Sequence, residues 1–220
     1  MIAVEDLKSM DYRQAWAIQE AIHAEVADGG PERLLLVEHS DVITFGRRPP
    51  ALEHLLASKD WLQGIGIQVV ESDRGGDVTF HGPGQLVVYP IIRLNTHGLS
   101  VGGYVRMLEH SVIAALNEMG IAAHRKDGAV GIWTDDQGKE AKICAIGVRI
   151  RRGVSMHGLA LNVRTDLSRF NLIVPCGLRG SRVTSLEKLL AEKTPSMAEV
   201  KTTVVSALQN ALAIKEKQIV

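Results

Sequence analysis

Two apolar, β-branched runs at 143–150 and 154–163 are separated only by Arg151, Arg152 and Gly153. A link this short cannot carry a parallel crossover, so the runs fold back on each other as an antiparallel hairpin. Further strand-like segments lie at 34–37, 42–45, 67–70, 77–80, 85–92 and 131–134. Helical spacing appears in three places. Ala15, Ile18, Ile22 and Val26 share one face until Gly29 and Gly30 stop the run. After Ser100 as N-cap, Tyr104, Leu108, Val112 and Ala115 recur until Gly120. Ser196 and Glu199 form a capping box before Val200, Val204, Leu208 and Leu212, and Thr184 with Glu187 reads as another before Leu189 and Leu190. The expected class is α+β, a mixed, largely antiparallel sheet flanked by helices rather than a doubly wound arrangement. No repeat, low-complexity stretch or Pro/Gly/Ser-rich linker divides the 220 residues, so 1–220 is expected as one domain.

Charge narrows the partners. The 25 basic and 25 acidic side chains cancel, which gives no global pull toward nucleic acid or an anionic membrane. Along the chain they are uneven: residues 139–182 hold nine Lys or Arg against Glu140 and Asp166. Such a surplus is either an ordinary solvated face or a docking surface for an acidic partner. Charges interrupt the first residues where a signal peptide would be apolar, and no apolar run reaches the ~20 residues of a membrane span. A cytoplasmic, monomeric protein is expected. Two cysteines do not make a disulfide framework, so Cys144 and Cys176 are expected as free thiols.

Three segments carry candidate chemistry. The first, Arg74-Gly75-Gly76-Asp77-Val78-Thr79-Phe80-His81-Gly82-Pro83-Gly84-Gln85, packs glycines around a short strand. It lacks the Gly-Lys-Ser/Thr ending of a phosphate loop, and a plain hairpin is its bland reading. The second runs from Lys142 through Ile143-Cys144-Ala145-Ile146-Gly147 and returns as His157-Gly158-Leu159-Ala160-Leu161-Asn162. A lysine opening an apolar strand usually snorkels to water; a buried lysine has its ammonium form disfavoured, as a general base requires. Cys144, inside that strand, reads as a small buried hydrophobe. The third is Val174-Pro175-Cys176-Gly177-Leu178-Arg179-Gly180. A cysteine between proline and glycine sits in a turn with its sulfur open, and Lys142, Arg179 and Arg182 are candidates to stabilise a thiolate there. His81 and His157 read equally as pocket hydrogen-bonders and as structural histidines. The eight histidines show no metal-ligand spacing.

Together RGGDVTFHGPGQ, KICAIG with its HGLALN return, and PCGLRG followed by VTSL resemble the lipoyl(octanoyl) transferase family, over about 74–186. The resemblance implies a single catalytic domain with a biotin/lipoate protein ligase-like fold. It implies transfer of an octanoyl or lipoyl group from octanoyl-acyl carrier protein to a lysine of lipoyl domains, those of 2-oxoacid dehydrogenases and of the glycine cleavage H protein. Cys176 then matches the thioester nucleophile and Lys142 the activating base. Arg74, Gly75, Gly76, Asp77, Val78, Thr79, Phe80, His81, Ala145, Ile146, Gly147, Gly158, Leu159 and Ala160 match the acyl-pocket segments. No cofactor or metal is implied beyond the phosphopantetheine that the carrier brings. The rival readings are an ATP-dependent lipoate or biotin protein ligase of the same fold and a non-enzymatic binding module.

Overall fold

A computed structural model describes residues 2–49, 51–174 and 182–213. The chain forms β1 (Ala3–Met10), α1 (Tyr12–Ala27), β2 (Arg33–His39), β3 (Val42–Phe45), α2 (Lys59–Gly64), β4 (Gln68–Glu71), β5 (Val78–His81) and β6 (Gln85–Ile91). There follow α3 (Val101–Glu118), β7 (Ala123–Arg125), β8 (Ile132–Asp135), β9 (Glu140–Arg151), β10 (Val154–Asn162), β11 (Arg182–Val183), α4 (Leu186–Leu190) and α5 (Met197–Ala213).

The main sheet has the order β1-β2-β6-β10-β9-β8-β7, with β11 added beside β9. Among the described residues of this sheet, β1 on β2 and β11 on β9 pair in parallel and the other neighbours are antiparallel. The mixed, largely antiparallel sheet and flanking helices are those read from the sequence. The run Leu34-Leu35-Leu36-Val37 is apolar at every position because both faces of β2 are covered. Leu34 and Leu36 pack with α3 and α5 residues such as Leu108, Val112, Val204 and Leu208. Leu35 and Val37 pack with Ala15, Ile22 and Val26 of α1. The β9–β10 hairpin turns through Arg152 (φ 51°) and Gly153 (φ 75°), two successive positive φ values as a type I′ turn requires.

The structure corrects the sequence reading in several places. A second sheet exists, of order β4-β3-β5, with a core of Ile43, Phe45, Leu62, Ile67, Phe80 and Phe170. The glycine-rich segment is therefore not a hairpin: β5 belongs to the small sheet and β6 to the large one, and Gly82-Pro83-Gly84 carries the chain between them. The N-cap before α4 is Ser185, whose hydroxyl accepts from the Lys188 N–H (3.2 Å), not Thr184. The Ser100 cap and the Ser196–Glu199 box form as read, the latter through Glu199 Oε2 accepting from the Ser196 N–H (2.7 Å).

Candidate active site

The site begins with an irregularity in β9. Ile132 of β8 pairs with Cys144 and Trp133 with Lys142, so Ile143 has no partner and β9 bulges there. Strict alternation would place Lys142 on the face of Cys144, inside the core that α3 and α5 cover. The bulge instead turns Lys142 to the opposite face, with Ala145 and Gly147, the kind of re-aiming that bulges supply beside functional sites. Gly131, at φ 123°, makes room for it: a Cβ there would lie 3.3 Å from Lys142 Cε and 2.6 Å from the Cys144 carbonyl oxygen. Lys142 is buried, donates from Nζ to the Val130 carbonyl oxygen (3.0 Å), and stands 4.9 Å over the Trp133 ring. It does not snorkel.

From Lys142 a slot runs along β9 and β10 on the α1 side of the sheet. Its floor follows from register. Ala145 pairs with Ala160, and Gly147 with Gly158, so two successive cross-strand pairs present almost no side chain. A Cβ on Gly158 would sit 2.1 Å from the Val88 carbonyl oxygen, and one on Gly147 2.8 Å from that of Gly75, so neither position accepts alanine without backbone movement. Tyr12, Val87, Tyr89, His81 and Val78 line the slot further.

Thirteen of the expected site residues come together here: Arg74, Gly76, Asp77, Val78, Thr79, His81, Lys142, Ala145, Ile146, Gly147, Gly158, Leu159 and Ala160. Gly75 and Phe80 do not line the slot. Gly75 clamps its loop to β9, its N–H donating to the Val148 carbonyl (2.9 Å). Phe80 projects into the small sheet's core against Phe170, ring centroids 5.7 Å apart. Cys176, with the rest of 175–181, lies outside the described residues. Tyr12, Val87, Tyr89 and Val130 were missed. Val87 and Tyr89 share a period-2 face of β6, which marks them as neighbours without saying what that face borders.

Directed hydrogen bonds hold the walls. Arg74 is buried, its Nη2 donating to the Thr44 carbonyl (2.6 Å) and its Nη1 to that of Gly75 (3.0 Å). His81 Nδ1 donates to Gln85 Oε1 (2.7 Å), Gln85 Nε2 to Asn162 Oδ1 (2.9 Å), and Asn162 Nδ2 to the Thr184 carbonyl (3.0 Å). His39 Nδ1 donates to the Met10 carbonyl (3.0 Å), which leaves Nε2 to accept from the Tyr89 hydroxyl (2.7 Å). His157, at φ 55° and buried, donates from Nε2 to Asp73 (2.7 Å), and that bond holds the Asp73 carboxyl below its usual range. Cys144 is buried among Ile143, Leu161 and other core residues, and burial pushes its thiol up to about 12.

Burial lowers His39 to about 4, and lowers His81 well below the ordinary histidine value, so both are neutral in the folded protein. An unfolded chain binds protons at these positions from about pH 6.5 downward, where the folded one resists until about 4. Stability is therefore full above pH 6.5 and falls as pH drops, by about 3 kcal/mol from His39 alone at pH 4. Urea midpoints measured from pH 7 to pH 4 are expected to fall, and less steeply in His39→Gln; an equal slope in both proteins would remove His39 as the cause.

The basic surplus of 139–182 is largely neutralised in space. Arg151 pairs with Glu20 (2.5 Å), Arg152 with Asp28 (3.0 Å), Arg164 with Glu187 (2.9 Å), Arg169 with Asp41 (3.4 Å) and Arg182 with Asp136 (3.7 Å). Arg149 stands 3.8 Å from Asp73. Among the described residues no cluster of three or more His, Cys, Asp or Glu could hold a metal ion, and no helix is long and apolar enough to cross a membrane.

Comparison with known proteins agrees in sequence and in fold. The family model described as the lipoyl protein ligase A/B catalytic domain matches residues 11–209. An octanoyltransferase of Chloroflexus aggregans is 47% identical over 209 residues, covering 94% of this chain and 93% of its own. The bipartite lipoate protein ligase of Thermoplasma acidophilum superposes with a TM-score of 0.79 at 18% identity, covering 99% of this chain and 89% of that one. A biotin protein ligase of Aquifex aeolicus gives a TM-score of 0.57 at 16% identity, covering 99% and 73%. The two ligases show likeness of fold alone, and it is the ligase-like fold expected from the sequence.

Proposed function

The chain belongs to the lipoyl protein ligase A/B catalytic domain family, and we propose on that premise that it is an octanoyl transferase acting in protein lipoylation. The observation that carries the reading is a buried lysine turned by a β-bulge to the end of a slot floored by alanine and glycine pairs. Such a floor suits a thin unbranched hydrocarbon chain, and the lysine suits proton transfer at the chain's activated end.

The donor is an octanoyl thioester on the phosphopantetheine of acyl carrier protein, and the acceptor is a lysine of a lipoyl domain. Cys176 passes its proton to Lys142 and attacks the thioester carbonyl as thiolate, and the carrier's sulfur leaves and takes that proton from Lys142. The acceptor amine then attacks the Cys176 thioester, Lys142 accepts the proton it loses, and the Cys176 sulfur departs. Two anchors support Cys176 in this role. Val174, two residues before it, donates to the His54 carbonyl (2.8 Å), and His54 in turn bonds Asp77 of the slot (2.9 Å). Val183, seven residues after it, pairs with Lys142 on β9. The described residues on either side of the segment that bears Cys176 are thus both tied to residues of the slot. No cofactor is needed in this scheme.

Intact-mass measurement after mixing with octanoyl-carrier protein, without ATP, tests the reading. One octanoyl group on Cys176, discharged by a lipoyl domain, is expected. Release of pyrophosphate from ATP with free octanoic acid would favour the ligase chemistry of the structural neighbours instead. The floor supplies a second test. Ala160→Leu places a branched side chain opposite Ala145, and is expected to raise KM for octanoyl donors about tenfold or more while sparing butanoyl donors. A uniform loss across chain lengths would show that the slot does not hold the chain.

A further inference from the structure

We propose that Arg47 and Arg48 form an anion subsite on the rim of the slot that takes the phosphodiester of the donor's pantetheine arm; the inference rests on the donor assigned above. Beyond the end of β3 the chain runs on beside the slot loop. The Gly46 N–H donates to the Asp77 carbonyl (3.0 Å), Arg47 N–H to that of Arg74 (3.0 Å) and Arg48 N–H to that of Gly76 (3.1 Å). The approach depends on glycine, since a Cβ at Gly46 would lie 2.2 Å from the Gly76 carbonyl oxygen and 2.9 Å from Arg74 Nη1. Two consecutive arginines are thus fixed by their backbone against residues that line the slot.

Their side chains are exposed, and among the described residues neither guanidinium makes a hydrogen bond or an ion pair. The contrast with 139–182 is informative, because arginines there find carboxylates from elsewhere in the chain. Nearby acids do not serve Arg47 and Arg48. Asp77 is buried and already accepts from His54 Nδ1 (2.9 Å) and the Val78 N–H (2.7 Å). Glu53, exposed on the turn that bears His54, pairs with neither. Adjacent like charges without a counter-charge repel each other and gain from an anion between them. Guanidinium forks match phosphate oxygens in pairs, and the phosphodiester is the fixed anion of the arm whose thioester enters the slot.

The test compares three octanoyl donors: the carrier protein, octanoyl-phosphopantetheine, and octanoyl-pantetheine, which lacks the phosphate. Each is assayed with the unaltered protein, with Arg47→Gln/Arg48→Gln, and with Arg106→Gln, an exposed position on α3 across the sheet. The advantage in KM of octanoyl-phosphopantetheine over octanoyl-pantetheine is expected to shrink about tenfold in the double variant and to persist in Arg106→Gln. An unchanged advantage overturns the subsite. So does a KM change confined to the carrier protein, which would assign the arginines to the carrier's acidic side chains. If the unaltered protein uses none of the three donors, the transferase reading fails and takes the subsite with it.

Discussion

Cys176→Ser is expected to lose octanoyl transfer by at least about 10³-fold, while Cys144→Ala keeps most of it. The two thiols differ in what they can become. A thiolate is the nucleophile, and Cys144 is fully buried with its thiol raised to about 12, so at pH 7 roughly one molecule in 10⁵ would carry it ionised. No substrate carbonyl could reach it without opening the core that α3 and α5 cover. Its replacement by alanine removes a sulfur from a packed site and costs stability of about 1 to 2 kcal/mol, not chemistry. Serine at 176 keeps a hydroxyl of similar size, but it is a weaker nucleophile and, once acylated, a poorer leaving group, so both steps suffer. The pair of variants is decisive when transfer to a lipoyl domain and acyl-enzyme mass are read together. Equal loss in both would end the assignment of the nucleophile to Cys176.

Much of this site could be read from residue order because its parts are local: the Ala and Gly positions of β9 and β10 face each other through a hairpin whose short link dictates the pairing. What escaped the sequence depends on distant partners. β3 and β5 read as strands, but a four-residue strand has no mark of which sheet it joins, and the pairing Val42 to His81 spans the intervening α2 and β4. β1 was missed because it is an edge strand, carrying Glu5, Asp6 and Lys8 and largely exposed, so it lacks the apolar alternation of a covered strand. The bulge at Ile143 left no trace either: in the sequence Lys142 and Cys144 have the same parity, and only pairing with β8 separates their faces. Charge along the chain has a related limit. The surplus of 139–182 is a property of chain order, and folding brings Glu20, Asp28, Asp41, Asp136 and Glu187 against it.

Lys142→Met and Lys142→Arg are expected to lower kcat alike, by about 10²- to 10⁴-fold, with KM for the donor changed much less. Methionine follows the path of the lysine stem through the space that Gly131 leaves, and loses the amine with its bond to the Val130 carbonyl and its place over the Trp133 ring, a stability cost of about 1 to 2 kcal/mol. Arginine keeps a positive charge that could still face Trp133, but a guanidinium does not give up its proton at neutral pH and cannot cycle as a base. The comparison therefore separates proton transfer from a fixed field. If Lys142→Arg retained most of the turnover that Lys142→Met loses, the residue would act by charge, stabilising the thiolate without moving protons. Urea midpoints that fall by no more than this modest cost, with all three proteins folded under assay conditions, would show that the kinetic difference arises at the reacting atoms. Single-turnover measurement then locates it: a base that serves both halves of the reaction slows acylation by the carrier and discharge to the lipoyl lysine, whereas a charge that only holds the thiolate slows acylation alone.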